Sequence, residues 1–126
     1  HWVVLFIYPK DNTTGCTKET QEFNERYSEF KSLGVKVFGL SKDTLVSHIS
    51  FSRKLDLHFS LISDPQIQLI QKLNAWKEKS MYGKKYMGAE RSTFLIDKNL
   101  IIKNIWRKVK VDGHVDQVFD KCKELI

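Results

Sequence analysis

The chain has 126 residues, which we interpret as a single domain spanning residues 1–126. It is 41% hydrophobic and 12% aromatic, which excludes a disordered chain, and its longest apolar run, residues 2–8, is far short of the roughly 20 residues that cross a bilayer. The net charge of +6 is moderate and more typical of a soluble surface than of a dedicated nucleic-acid-binding surface.

Hydrophobic patterning predicts strands that alternate with helices. Residues 2–8 are β-branched and aromatic without alternation, which is typical of a strand buried on both faces. Residues 74–89 mix Trp, Met and Tyr with Lys and Gly, and we predict an exposed loop with apolar anchors there. The other predicted elements are, in chain order, a helix over 17–32, a strand over 35–40, a helix over 43–55, a strand over 59–62, a helix over 67–73, strands over 92–96 and 100–109, and a helix over 115–126.

The order of these elements predicts the fold class. The early alternation favours parallel strands, whereas the last two strands form a hairpin at residues 97–99, so the sheet is mixed. Right-handed crossovers place helices on both faces of this sheet. We also expect Pro65 to lie in the first turn of the helix over 67–73. The prediction is an α/β protein with a central mixed sheet flanked by helices, an order that matches a thioredoxin-like architecture.

The segment from Pro9 to Glu19 points to a reactive cysteine, because Cys16 falls just after a strand, in the first turn of a helix. Sites in open α/β sheets lie beyond the carboxyl ends of strands. The unpaired N–H groups and partial positive charge of a helix N-terminus favour a thiolate. Thr13 is close enough to point its hydroxyl at the sulfur, and Pro9 can shield the sulfur from water. A buried structural cysteine is the alternative, but residue 16 is not on an apolar stripe.

The pattern Pro9-x-x-x-Thr13-x-x-Cys16 resembles the active site of the peroxiredoxins. The wider segment Tyr-Pro-Lys-Asp-Asn-Thr-Thr-Gly-Cys-Thr-Lys-Glu is similar to the peroxiredoxin Q group, also called bacterioferritin comigratory protein. The resemblance continues through residues 84–88, 90–97 and 106–114, and so covers essentially the whole chain. It implies a peroxidase of thioredoxin-like fold that needs no cofactor. Family members have a segment before the first strand, so we expect residues to be missing upstream of His1.

The resemblance assigns roles to individual residues. It implies that the Cys16 thiolate attacks the O–O bond of hydrogen peroxide or an organic hydroperoxide and becomes a sulfenic acid. Thr13 and nearby backbone N–H groups are expected to bind the peroxide oxygens. Arg91 matches the family arginine and would stabilise the charge that moves from sulfur to oxygen; without the resemblance it would be interpreted as part of a surface ion pair. Glu19 corresponds to a position that orients this arginine in related proteins, although a solvated glutamate near the helix dipole explains it equally well.

The resemblance also raises the question of a second, resolving cysteine. In one common subtype it lies five residues after the first, where this chain has Gln21. In another it lies in the next helix, and here no cysteine occurs between residues 17 and 121. Only Cys122 is left, on the apolar stripe of the terminal helix, and we interpret it as a packed core residue. We therefore predict a one-cysteine cycle that depends on an external thiol, which could be thioredoxin, glutaredoxin or glutathione.

Two alternative functions are less favoured. A thioredoxin-like disulfide oxidoreductase needs two thiols at C-x-x-C spacing, whereas this chain has Thr13 in place of the first. A non-enzymatic basic binding module would use Arg107, Lys108 and Lys110, but a strand with one solvated face explains these residues better. We predict no nucleic-acid partner and no membrane partner. The four histidines are scattered and lack ligand spacing, so we predict no metal site: His1, His48, His58 and His114.

Cysteine content bears on the compartment. Two cysteines are too few for a disulfide-stapled secreted fold, and no signal peptide is visible, so we expect a reducing, cytoplasmic environment. We expect a monomer or a weak dimer, because an abrupt first strand can expose a sheet edge.

Overall fold

The computed structural model describes residues 1–126, and its strands form a five-stranded sheet and a separate two-stranded hairpin. In chain order the elements are β1 (Trp2–Ile7), α1 (Thr14–Glu25), α2 (Tyr27–Ser32), β2 (Val35–Ser41), α3 (Leu45–Leu55), β3 (Ser60–Ser63), α4 (Gln68–Lys72), β4 (Trp76–Met81), β5 (Lys84–Ala89), β6 (Ser92–Ile96), β7 (Ile102–Trp106) and α5 (His114–Leu125). None of the helices has the length and apolarity that a membrane crossing needs.

The large sheet has the strand order β3-β2-β1-β6-β7. β1, β2 and β3 run parallel to one another. β6 is antiparallel to β1, and β7 is antiparallel to β6, so the predicted mixed sheet is confirmed. Because β1 and β2 run in the same direction, the loops that follow them meet at one edge of the sheet. The first residue of β6, Ser92, pairs with the last residue of β1, Ile7, so the segment just before β6 reaches the same edge.

β1 separates two apolar clusters, which confirms that it is buried on both faces. Alternate residues of β1 point to opposite sides, as the two-residue period of a strand requires. The larger cluster lies under α1, α2, α3 and α5 and includes Val4, Phe6, Tyr8, Phe23, Phe30, Phe51, Val118 and Phe119. The smaller lies under α4 and the β4–β5 hairpin and includes Leu5, Ile7, Leu40, Ile70, Ala75, Ala89 and Phe94.

The loop predicted over residues 74–89 is wrong, because these residues form the hairpin of β4 and β5. The turn residues Tyr82 and Gly83 both have positive φ, 52° and 79°. Two such residues match the twist of a tight hairpin. Trp76 pairs with Ala89 and packs the base of the hairpin on the smaller cluster. Lysines occur in both strands, half-buried in β4 and exposed in β5, and they hide the alternation of apolar residues that indicates a strand.

The predicted helix over 17–32 is two helices, because the structure starts α1 at Thr14 and interrupts the helix at Arg26. Arg26 has φ −100° and ψ 6°, which lies outside regular helical geometry. Its Nη1 donates to Asp116 of α5 at 2.5 Å. The break is thus fixed to a neighbouring helix, a contact that local sequence does not reveal.

The predicted helix over 67–73 also begins later than expected. Pro65 precedes the helix instead of lying in its first turn, and Ile67 has a left-handed φ of 51°. The Asp64 carboxylate accepts from the backbone N–H groups of Gln68 and Ile70, at 3.0 and 2.9 Å. Asp64 therefore satisfies two unpaired N–H groups of the first turn.

The last predicted strand, over 100–109, is shorter in the structure. Leu100 and Lys108 have φ values of 64° and 48°, so extended pairing is confined to β7 between them. The hairpin between β6 and β7 is confirmed.

Candidate active site

The fold brings distant residues together at the carboxyl edge of β1. Pro9 follows β1, and Cys16 is the third residue of α1. Arg91 immediately precedes β6, whose first residue pairs with the last residue of β1. Residues that are 75 positions apart in the chain therefore meet at one point.

The Cys16 thiol lies between a guanidinium and a helix N-terminus. Cys16 is 1% exposed, and Nη2 of Arg91 donates to its Sγ at 3.3 Å. No side chain caps α1, so the N–H groups of its first turn are free to bind an anionic or polar ligand. Both features stabilise negative charge on the sulfur or on an atom that approaches it.

Glu19 holds Arg91 in place. Nη1 of Arg91 donates to Oε1 of Glu19 at 2.7 Å, while Nη2 of the same guanidinium faces the sulfur. The Glu19 side chain is fully buried and that of Arg91 is 16% exposed. The interpretation of Glu19 as a solvated glutamate is therefore wrong, and Arg91 does not form a surface ion pair.

Burial makes Glu19 a group that titrates near neutrality. Desolvation raises its pKa to about 7 from an ordinary 4.5, although Arg91 opposes the shift. Its second oxygen, Oε2, is buried without a hydrogen-bond partner, which leaves room for a proton there. The ion pair with Arg91 offsets only part of the cost of burying this charge.

The raised pKa of Glu19 predicts a pH dependence of stability. Between about pH 4.5 and 7 the folded chain holds a proton on Glu19 that the unfolded chain releases. The free energy of unfolding contributed by this group therefore falls as the pH rises through that window. Glu19→Gln removes the titrating group, so its stability should depend less on pH there. Urea denaturation at several pH values measures the slope.

Glu25→Gln, at an exposed glutamate of the same helix, is the matched control for Glu19→Gln. It should keep the wild-type slope of unfolding free energy against pH. Equal slopes for wild type and Glu19→Gln would contradict the raised pKa, whatever constant offset follows from the loss of the ion pair.

Neither of the two smaller candidate residues, Thr13 and Pro9, is hydrogen-bonded to Cys16. The exposed Thr13 hydroxyl donates to the Lys10 carbonyl at 2.9 Å, and its oxygen is left to accept. Pro9 is half-buried at the end of β1. A Cβ at Gly15 would lie 3.3 Å from Nη2 of Arg91, so glycine leaves room for the guanidinium.

Lys79 of β4 is a residue that the sequence interpretation missed. Burial and the charge of Arg91 lower its pKa, while Cys16 and Glu90 act in the opposite direction. A second cation thus lies within electrostatic reach of the sulfur. No sequence signal marks it, because its position depends on a hairpin that was predicted as a loop.

Both cysteines belong to the larger apolar cluster, but only the Cys16 sulfur accepts a hydrogen bond, from Arg91. Cys122 is fully buried in the larger apolar cluster, and desolvation raises its pKa to about 11. Gln21, where one subtype has its resolving cysteine, is exposed on α1. Both cysteines are free thiols.

Comparisons with known proteins identify the family of the chain. A model of the AhpC/TSA family matches residues 1–105. The peroxiredoxin Bcp of Xanthomonas campestris is 45% identical over 123 residues, which is 98% of this chain and 77% of that protein. The peroxiredoxin Bcp of Bacillus subtilis is 41% identical over 124 residues, 98% of this chain and 79% of that protein.

The fold is also similar to that of a solved structure of the same group of proteins. The bacterioferritin comigratory protein of Xanthomonas campestris superimposes with a TM-score of 0.94 at 44% identity, over 98% of this chain and 79% of that one. The thioredoxin-like fold and the resemblance that the sequence predicted are both confirmed. The chain belongs to the AhpC/TSA family and, within it, to the Bcp or peroxiredoxin Q group of peroxiredoxins, which are thiol peroxidases.

Proposed function

We propose that the chain reduces hydrogen peroxide and organic hydroperoxides with Cys16 as its nucleophile. The observation that carries this is the 3.3 Å contact between Nη2 of Arg91 and Sγ of Cys16 beside the uncapped start of α1. The Xanthomonas campestris relative has alkyl peroxide reduction activity, which supports organic hydroperoxides as substrates here.

The geometry supports a simple displacement at oxygen. The Cys16 thiolate attacks one peroxide oxygen, the O–O bond breaks, and the departing hydroxide or alkoxide takes up a proton to leave as water or alcohol. The sulfur keeps the attacked oxygen as a sulfenic acid. During this step negative charge moves from sulfur to oxygen, and Arg91 can donate to both atoms without losing its own proton. The Thr13 oxygen and the first-turn N–H groups of α1 are the proposed contacts of the peroxide.

The cycle is proposed to need an external thiol. Cys122 lies in the apolar core with a raised thiol pKa, which makes it a poor partner for disulfide formation. One thiol of thioredoxin, glutaredoxin or glutathione would displace water from the sulfenic acid, and a second thiol would release Cys16 from the mixed disulfide. We propose that the chain works as a monomer or weak dimer. We also propose a reducing compartment such as the cytoplasm, and the two free cysteines support this compartment.

Intact mass after one equivalent of peroxide tests this proposal. In the presence of a sulfenic-acid trap, the reduced chain and Cys122→Ser should each gain one adduct, located on Cys16. A wild-type chain that loses two hydrogens instead, with the loss abolished by Cys122→Ser, would contradict the one-cysteine cycle. Absence of any adduct together with unconsumed peroxide would contradict the peroxidase function itself.

A further inference from the structure

A buried polar cluster lies behind the loop that leads to Cys16. We define the Asp11 cluster as Tyr8, Asp11, Ser47 and His48. The Asp11 side chain is 1% exposed. Its carboxylate accepts from the Tyr8 hydroxyl at 2.5 Å, the Ser47 hydroxyl at 2.8 Å and Nδ1 of His48 at 2.8 Å. Asp11 belongs to the loop between β1 and α1, whereas Ser47 and His48 belong to α3. The cluster therefore joins the cysteine loop to a different helix.

The backbone of Asp11 is fixed as well. Its N–H donates to Oδ2 of Asp43 at 2.9 Å, and the same carboxylate oxygen accepts from the Ser41 hydroxyl at 2.5 Å. The Ser63 hydroxyl donates to the Asp43 carbonyl at 2.6 Å. Asp43 therefore links the loop to the end of β2 directly and to the end of β3 through Ser63.

The hydrogen-bond partners of His48 favour its protonated form. Nε2 lies 3.0 Å from the Ile62 carbonyl, which only accepts, so Nε2 carries a hydrogen. Nδ1 lies 2.8 Å from Oδ2 of Asp11, and an ionised carboxylate there also needs a donor, which favours an imidazolium. Burial lowers the pKa of His48, but the hydrogen bond and charge of Asp11 outweigh it and the net pKa is raised. The three bonds to Asp11 outweigh its own desolvation and lower its pKa.

A hydrogen-bonded support explains this cluster better than a metal site does. The ligand atoms of Asp11, Asp43 and His48 lie within 4.8 Å of one another. However, protein donors already use both oxygens of Asp11 and Oδ2 of Asp43, and an imidazolium offers no lone pair. A cation would have to displace these bonds.

We propose that His48 and Asp11 are positioning residues, which hold the loop from Pro9 to Thr13 and thereby set the approach of a peroxide to Cys16. The inference rests on the proposed role of Cys16. The residue after Asp11, Asn12, has a φ of 66°, a left-handed conformation that persists where its surroundings hold it. Thr13, one residue further, begins the turn that presents the first N–H groups of α1.

Small displacements of this loop matter to the reaction, because a misplacement of roughly 1 Å can cost about a hundredfold in rate. No polar group of the Asp11 cluster is hydrogen-bonded to Sγ, which accepts from Arg91 instead. Loss of the cluster is therefore expected to change the orientation of the bound peroxide more than the ionisation of the thiol. This separates positioning from an electrostatic effect on the sulfur.

Two substitutions of His48 test the inference. His48→Leu removes the donor to Asp11, and the second-order rate of the reduced chain with hydrogen peroxide should fall by about tenfold to a hundredfold. The thiolate fraction, followed by its ultraviolet absorbance against pH, should stay as in wild type. His48→Asn keeps a donor near the position of Nδ1 and should restore most of the rate. Ser47→Ala removes one of the three bonds to Asp11 and should give a smaller loss in the same direction.

Thr44→Ala is the matched control. Thr44 caps α3 by accepting from the Ser47 N–H at 3.2 Å, so its loss destabilises the helix without removing a donor to Asp11. It should lower the melting temperature and leave the rate unchanged. A wild-type rate in folded His48→Leu and in Ser47→Ala would overturn the inference, as would an equal loss in Thr44→Ala. A wild-type chain that does not react with peroxide overturns the proposed function as well, so the two failures are distinguishable.

Discussion

Cys16→Ser is expected to lower peroxide turnover by on the order of 10⁴-fold or more, to the uncatalysed background. A serine hydroxyl is not ionised at neutral pH and does not attack the O–O bond, although Arg91 and the start of α1 stay in place. The measurement is peroxide consumption with a thiol reductant in excess, at several enzyme concentrations. Cys122→Ser should keep the wild-type rate, since its thiol takes no part in the proposed cycle.

The pair of serine variants separates chemistry from stability. Both cysteines are buried in the same apolar cluster and the same atom changes in each variant, but only Cys16 has a guanidinium at its sulfur. In Cys122→Ser a hydroxyl is placed among apolar side chains, which costs about 1–3 kcal/mol when it finds no partner. In Cys16→Ser the hydroxyl lies beside Arg91. The less stable variant should therefore be the active one. Retained turnover in Cys16→Ser, or lost turnover in folded Cys122→Ser, would show that the nucleophile is assigned wrongly.

Sequence patterning predicts those parts of the fold in which local chemistry and burial agree. β1 lacks polar residues and is buried on both faces, so pattern and structure coincide. The β4–β5 hairpin was missed because it packs on the core only near its base, through Trp76 and Ala89. Beyond the base, its side chains are mostly exposed, and periodicity carries little information where neither face is buried.

In the candidate site, too, local sequence pattern predicts some features, whereas contacts between distant residues are not predicted. The position of Cys16 after a strand and at the start of a helix follows from local pattern. The contacts of Arg91 with Cys16 and Glu19 do not, because they join residues 75 and 72 positions apart. The resemblance to the peroxiredoxins identified Arg91. The contact between His48 and Asp11 was not predicted by the resemblance or by the pattern. These residues are 37 positions apart, and a single histidine on a helix does not indicate which residue it contacts.

The two terminal nitrogens of Arg91 contact two different residues. A residue that replaces Arg91 would have to make both contacts to preserve the site. Nη1 binds Glu19 at 2.7 Å while Nη2 lies 3.3 Å from Sγ of Cys16. A planar guanidinium holds both donors in fixed directions. A lysine ammonium is a single point charge, so it can approach either the carboxylate or the sulfur with good geometry. The buried Glu19 would draw it away from the reaction.

Arg91→Lys is therefore expected to lower the second-order rate constant with hydrogen peroxide by about 10²- to 10³-fold, the effect of losing one fixed donor to developing negative charge. The rate should be compared at equal thiolate fraction, so that any change in thiol ionisation is removed. Arg107→Lys is the matched control, because Arg107 is exposed and donates only to the Asn74 carbonyl, at 3.0 Å. It should react as wild type does. If Arg91→Lys also kept the wild-type rate constant, positive charge alone would suffice, and the fixed fork of donors would not be what stabilises the departing oxygen.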